Sequence, residues 1–264
     1  MLTLYHGDTS VCSQKVRLIL YEKGIEWEGR FIDLGKGDQR TPEYLKLNPK
    51  AVVPTLVNDG RVIVESTMIN EYLDDLSPTP PLRPADPYER ARMRLWVKQL
   101  DDTIHEAINT ITFAVALRDA VLARPKEAQE AWIKGNPDTA RQEKVREILK
   151  LGVEASMMDR DINRLDKMLA DMEAALGDRD YLAGDTYSLA DAGFTPYVNR
   201  LAVLSLHPMW EARPRTTDWY ERMKARRNYN QAILDHDPVD RIAAMRAAGE
   251  KQWSAVKKMI RSMA

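Results

Sequence analysis

The segment LYHGDTSVCSQKVRLIL, starting at Leu4, places Thr9, Ser10, the chain's only cysteine (Cys12) and Ser13 where a strand gives way to a helix. Backbone N–H groups at a helix start are unpaired and lie at the positive end of the helix dipole. A hydroxyl or thiol there can hydrogen-bond a bound thiol and favour its thiolate. Serines at such positions also act simply as caps, and the segment alone leaves both readings open.

Two further stretches hold groups of the kind a ligand would use. In AVVPTL, Pro54 follows Val53 and leads into a strand. A cis bond there would turn the chain and leave the backbone N–H and C=O before it free to pair with an extended peptide; a trans proline opening an edge strand is the plain alternative. In VESTMI, Glu65 and Ser66 stand where a strand ends and a helix begins. Ser66 can cap that helix, or the pair can hold a zwitterion, with its ammonium on Glu65 and its carboxylate on the amides and hydroxyl of Ser66. One ligand suits all three places: a thiol peptide with an amino-acid head group, which is glutathione.

The elements that must position these residues alternate in type over the first ~80 positions. LTLY reads as a strand, Ser10 to Lys23 as a helix stopped by Gly24, and EWEGRFID (Glu26–Asp33) as a second strand. A short helix over TPEYLKLN follows. VPTLVNDGRVIVES gives two strands joined at Asn58-Asp59-Gly60, a strong hairpin signal, and then STMINEYLDDL a helix. Five of the 14 prolines crowd into SPTPPLRPADP, a linker by composition. The rest reads as helical. Tyr88 to Leu122 and Ile148 to Leu176 form long amphipathic helices, a charged insert (124–146) separates them, and a basic amphipathic tail runs from Val239.

The totals bound the function. With 39 basic and 40 acidic residues there is no charge field to recruit nucleic acid or an anionic membrane. A single cysteine rules out an intrachain disulfide and suits a reducing compartment. The absence of a leader-like N-terminus and of ~18 consecutive apolar residues predicts a cytoplasmic, non-membrane protein. The spacing of the four histidines offers no metal set.

Taken in order, TSVCSQKVRL, LNPKAVVPTL and VESTMINEYL, followed by a helical half containing YLAGDTYSLADAGFTPYV, resemble the cytosolic glutathione transferases. The resemblance implies an α/β thioredoxin-like N-terminal domain (1–78), a linker (79–87) and an all-α C-terminal domain (88–264) that carries the acceptor-substrate site. It implies glutathione as co-substrate and puts the thiol-activating position of serine-type members on Ser10, with Ser13 and Thr9 as fallbacks and Tyr5 as a weaker choice. Cys12, two residues on and about 200° around a helix, should face away and pack as a small apolar group. Val53 should offer main-chain hydrogen bonds with Pro54 cis, while Glu65 and Ser66 hold the γ-glutamyl end. Gln39 matches a glutamine that some members turn to the ligand, and Lys50 suits the glycyl carboxylate by charge. Ser188 and Asp191 match the family's structural capping box.

A narrower likeness, in the stretches from Val64 to Asp102 and from Arg179 to Asp191, is to bacterial β-aryl-etherases, which displace an aryloxy group with glutathione. The expected activity is attack by the glutathione thiol on a small hydrophobic, aromatic electrophile. Ether cleavage is the alternative, and a non-catalytic glutathione-binding module a further one. His105, Ile108, Asn109 and Thr112 are the expected lining of the acceptor site, although the same residues would serve merely to cover the helix. A homodimer is implied by the resemblance.

Overall fold

A computed structural model describes residues 1–177 and 179–261. Strands β1 (Leu2–His6), β2 (Glu28–Phe31), β3 (Thr55–Asn58) and β4 (Arg61–Val64) form one sheet in the order β2-β1-β3-β4. β1 and β2 run parallel, as the intervening helix α1 (Val11–Glu22) requires, and β3 lies antiparallel to both of its neighbours. Asp59 and Gly60, at φ +47° and +80°, make the two-residue turn between β3 and β4, the backbone sense that matches strand twist. β2 is shorter than the alternation over Glu26–Asp33 suggests.

Helix α1 packs against α3 (Ser66–Leu76) and helices of the second half, and its Val16, Ile19 and Leu20 share one apolar cluster with Leu4 and Leu56 of the sheet. Every residue from Ser13 to Leu20 is therefore buried, Lys15 and Arg17 included at 0% exposure. After the short α2 (Pro42–Leu47), α3 and an irregular proline-rich stretch, the chain is helical from α4 (Pro87–Gln99) to α6 (Arg118–Leu122). This long rod widens twice into π turns, at Leu100–Ile104 and Phe113–Leu117, on either side of α5 (His105–Thr112). π turns rotate the face that follows, a device common at functional sites.

The insert folds as α7 (Lys126–Lys134) and α8 (Thr139–Leu151). The single helix expected over Ile148–Leu176 is in fact broken: Gly152, at φ +60°, ends α8, and α9 starts at Met158 (Met158–Leu176). The later helices are α10 (Leu189–Val203), α11 (Pro214–Lys224), α12 (Arg227–Ala232) and α13 (Val239–Met259). Asp191 is wholly buried and accepts from the Ser188 N–H and hydroxyl at 3.0 and 2.9 Å, the Leu182 N–H at 3.0 Å and Trp219 Nε1 at 2.9 Å. The expected capping box is thus present at the start of α10. One apolar cluster runs from Leu2 and Leu56 through α5 and α9 to Ile260, so the sheet and the helical half share a continuous core. Among the described residues no helix is long and apolar enough to cross a membrane.

Candidate active site at the start of the first helix

Ser10 is the N-cap of α1, with extended backbone (φ −64°, ψ 117°) and a half-buried side chain. Its Oγ accepts the Ser13 N–H at 3.3 Å. Capping uses an oxygen lone pair and leaves the O–H able to donate, so the two roles left open by the sequence are compatible. Ser13 is fully buried, and its Oγ accepts the Gly7 N–H at 3.1 Å, which closes the loop beneath Ser10. The Thr9 carbonyl is held by the Arg200 guanidinium, from α10.

Arginines fix this loop from several sides. Arg17 donates to the carbonyls of Gly7 and Asp8, both at 2.8 Å, and to that of Ala232 at 2.7 Å. Arg241, from α13, pairs with Asp8 at 2.6 Å. Burial lowers both Arg17 and Arg200 to about 10, with nearby Asp237 and Asp8 opposing the shift. Sequence reasoning missed this frame. Its one signal was two basic residues, Lys15 and Arg17, in a helix segment otherwise fit for a core.

The Val53–Pro54 bond is cis. Among the described residues neither the N–H nor the C=O of Val53 has a hydrogen-bond partner, so the main chain offers both. Gln39 is buried, and among the described residues its Oε1 has no hydrogen-bond partner. Glu65 stands at φ +67° ahead of α3, and Ser66 is buried at the first position of that helix. Lys50 Nζ lies 2.6 Å from Glu65 Oε1, and this pairing holds the lysine above its ordinary range.

Two expectations need correction. Cys12 packs against the apolar core as expected but does not face away from polar company: its Sγ lies 3.4 Å from Nδ1 and 3.9 Å from Nε2 of His105. A 200° separation holds only between two helical residues, whereas Ser10 is a cap with extended backbone. Burial alone would raise the Cys12 thiol, but His105 and then Lys15 outweigh it and bring it down to about 6. The acceptor-lining set also divides. His105 and Asn109 are half-buried and face this site, with Asn109 Nδ2 2.8 Å from His105 Nε2. Ile108, at 1% exposure, continues the buried stripe of Ile104 and Ile111 and belongs to the core, and Thr112 is buried as well.

A glutathione S-transferase N-terminal domain model matches residues 9–76, and a glutathione S-transferase C-terminal domain model matches residues 155–222. Protein LigF of Sphingobium sp. SYK-6 is 33% identical over 85% of this chain and 90% of its own.

The chain belongs to the glutathione S-transferase family.

It is an enzyme, and glutathione is its co-substrate. The crystal structure of the β-etherase LigF superposes with a TM-score of 0.81 over 89% of this chain and 99% of its own. The tetrachloro-p-hydroquinone reductive dehalogenase of Sphingobium chlorophenolicum is 30% identical over 88% of this chain and 95% of its own. Glutathione transferase F7 of Populus trichocarpa, at 26% identity and a TM-score of 0.69, covers 90% of this chain and is itself covered in full.

Proposed function

We propose that this transferase activates the glutathione thiol through Ser10 and directs it at a small hydrophobic, aromatic electrophile. The observation that carries the reading is the Ser10 hydroxyl: its oxygen accepts the Ser13 N–H, its O–H is left to donate, and it stands at the positive end of α1. A thiolate there is stabilised before it attacks, while the free main chain of Val53 pairs with the cysteinyl part of the tripeptide. Glu65 and Ser66 hold the γ-glutamyl end, assisted by the unpaired Gln39 Oε1, and Lys50 serves the glycyl carboxylate. Residues 1–78 supply the glutathione half of the site and 88–264 the acceptor half, with 79–87 as linker.

A second reading, cleavage of a β-aryl ether, is favoured by the likeness to the β-etherase LigF, which extends over nearly the whole chain. In it the thiolate displaces a phenolate from a carbon next to a ketone. Calorimetry with glutathione, followed by assays on a chloronitroarene and on a β-aryl-ether ketone, tests both readings. Loss of at least tenfold in kcat on Ser10→Ala supports the assigned hydroxyl, and undiminished turnover removes it. Binding without turnover on either substrate leaves only a glutathione-binding module. A cytoplasmic homodimer completes the reading. Met68 on α3 and Leu95 on α4, 53% and 64% exposed, are apolar surface of the kind a subunit contact covers; light scattering measures the assembly.

A further inference from the structure

The transferase reading gives the insert between α6 and α9 no part, yet one of its helices holds the loop that presents Gln39. That loop joins β2 to α2 and braces its own start. Asp33 Oδ1 accepts the N–H groups of Gly35 and Lys36 at 2.9 and 3.2 Å, and Asp38 Oδ2 accepts that of Asp33 at 3.0 Å. A single tight turn over Asp38–Arg40 follows. Among the described residues, the one hydrogen bond that residues 33 to 40 make outside the loop is that of Arg40, whose Nη1 donates to the Trp132 carbonyl of α7 at 2.5 Å. Gln39, its neighbour, is 7% exposed, and among the described residues its Oε1 has no hydrogen-bond partner. An acceptor at that depth costs stability until a donor reaches it.

The contact at Arg40 is built from more than that bond. Its guanidinium lies over the Trp132 ring, 5.4 Å from the centroid, within the range of a cation–π pair. The ring is itself stacked on Phe113 of the second π turn, with planes 5° and centroids 5.9 Å apart. Phe113 and Trp132 both pack against the apolar cluster of Val121, Ile133 and Leu149, so the ring is fixed to the helical rod that bears His105 and Asn109. Gly135 ends α7, and a Cβ there would come within 2.7 Å of Arg40 Nη1 and 3.3 Å of its Cδ. The missing side chain is what makes room for the guanidinium. Arg124 stands 5.9 Å from the same ring centroid, and burial and then the Arg141 charge lower Arg40. A carbonyl and a ring, rather than a carboxylate, hold Arg40 in place.

We propose that Trp132 and Gly135 are positioning residues of the glutathione site: through Arg40 they set the Gln39 amide for the ligand. The proposal rests on the glutathione site described above, in which Gln39 meets the tripeptide. Gln39 and Arg40 are consecutive, so a guanidinium that leaves Trp132 shifts the backbone bearing the amide, and hydrogen bonds weaken steeply with such displacement. Glutathione carries amide N–H and ammonium donors, any of which Gln39 Oε1 can accept. The insert thereby governs affinity for the thiol rather than the choice of electrophile, and a helix of the second half completes a site whose contacts all lie in the first.

Calorimetry with glutathione and steady-state kinetics on a chloronitroarene, both on the full chain, test this. Trp132→Leu should raise the glutathione Kd about tenfold, the worth of one hydrogen bond to a ligand. The glutathione KM should rise in step, while kcat at saturating glutathione falls by less than about threefold. Trp132→Phe, which keeps a ring beneath Arg40, should recover most of the affinity. Gly135→Ala displaces the end of a flexible side chain, so it should weaken glutathione by about threefold with an unchanged urea midpoint. The decisive comparison is with Gln39→Leu, which should itself lose affinity. Adding Trp132→Leu to it should then cost no more than about twofold, because no amide is left to set. Should Trp132→Leu fail to fold, Gly135→Ala alone and with Gln39→Leu gives the same comparison. Additive losses overturn the proposal, as does full affinity in Gln39→Leu or Trp132→Leu. Loss in Arg40→Met with none in the Trp132 and Gly135 variants also overturns it, and puts Arg40 itself on the ligand. Each of these results leaves the transferase reading standing, whereas a wild type that binds no glutathione overturns both.

Discussion

The Lys50 ammonium sits 2.6 Å from the Glu65 carboxylate, and so joins the residues just before the cis Val53–Pro54 bond to the start of α3. Both residues are exposed enough that the pair contributes little to folding. If each instead serves an opposite end of glutathione, binding must exchange this pair for two contacts with the ligand.

Glu65→Gln should then weaken glutathione binding by about tenfold, the worth of one charge-assisted hydrogen bond at roughly 1.4 kcal/mol. Lys50→Ala should change affinity less, since it also releases Glu65. Calorimetry on the two variants decides this, and unchanged affinity in Glu65→Gln would remove that carboxylate from the site.

The Thr9 carbonyl depends on Arg200, a residue of α10 far along the chain. Arg200→Met leaves that carbonyl without its donor and removes the cation facing Asp237 and Asp8. We expect a loss of roughly 1–3 kcal/mol in stability together with a fall in kcat larger than any rise in KM, because the loop bearing Ser10 loses its anchor. Urea unfolding and steady-state kinetics report the two effects separately.

Helix α13 lies against α9, α10 and the second π turn. A Cβ at Gly249 would come within 1.7 Å of the Leu204 carbonyl oxygen, so the helix backbone rests directly on the end of α10. Gly249→Ala should therefore destabilise the protein by at least the ~1–3 kcal/mol typical of overpacking, despite alanine's better helix propensity. An unchanged urea midpoint would contradict this contact.

Acid should weaken the fold through two histidines. Burial and then the Arg17 guanidinium lower His6 to about 3 and His236 to about 4. In the unfolded chain each takes a proton near pH 6.5, so their stabilisation is present above 6.5 and is lost as pH falls toward 4. Asp237 acts in the opposite sense. Burial raises it to about 6 against Arg200 and Arg17, so its contribution is full below about 4 and lost as pH rises through 6. Two protons against one leave a net loss toward acid. Urea midpoints at pH 7 and 5 should show the wild type weaker at pH 5, with the gap narrowed by His6→Gln and widened by Asp237→Asn.

Much of this was decided by local sequence. Asp59-Gly60 could supply the left-handed pair its hairpin needs, Ser188 and Asp191 could satisfy each other within one turn, and the motif order implied the family. Each involves neighbours along the chain, where spacing alone sets the geometry. The break at Gly152 and the two π turns were not legible, because the apolar period runs on through them. Neither was the character of Cys12. Its partner His105 lies 93 positions away and Tyr197 a further 92, and only the packing of α1 against both halves of the chain brings sulfur, imidazole and phenol together. The sequence by itself determined the class of fold and the ligand chemistry of its motifs. The tertiary structure decided which buried charges meet, because interaction between charges depends on distance and burial, and neither is written in spacing along the chain.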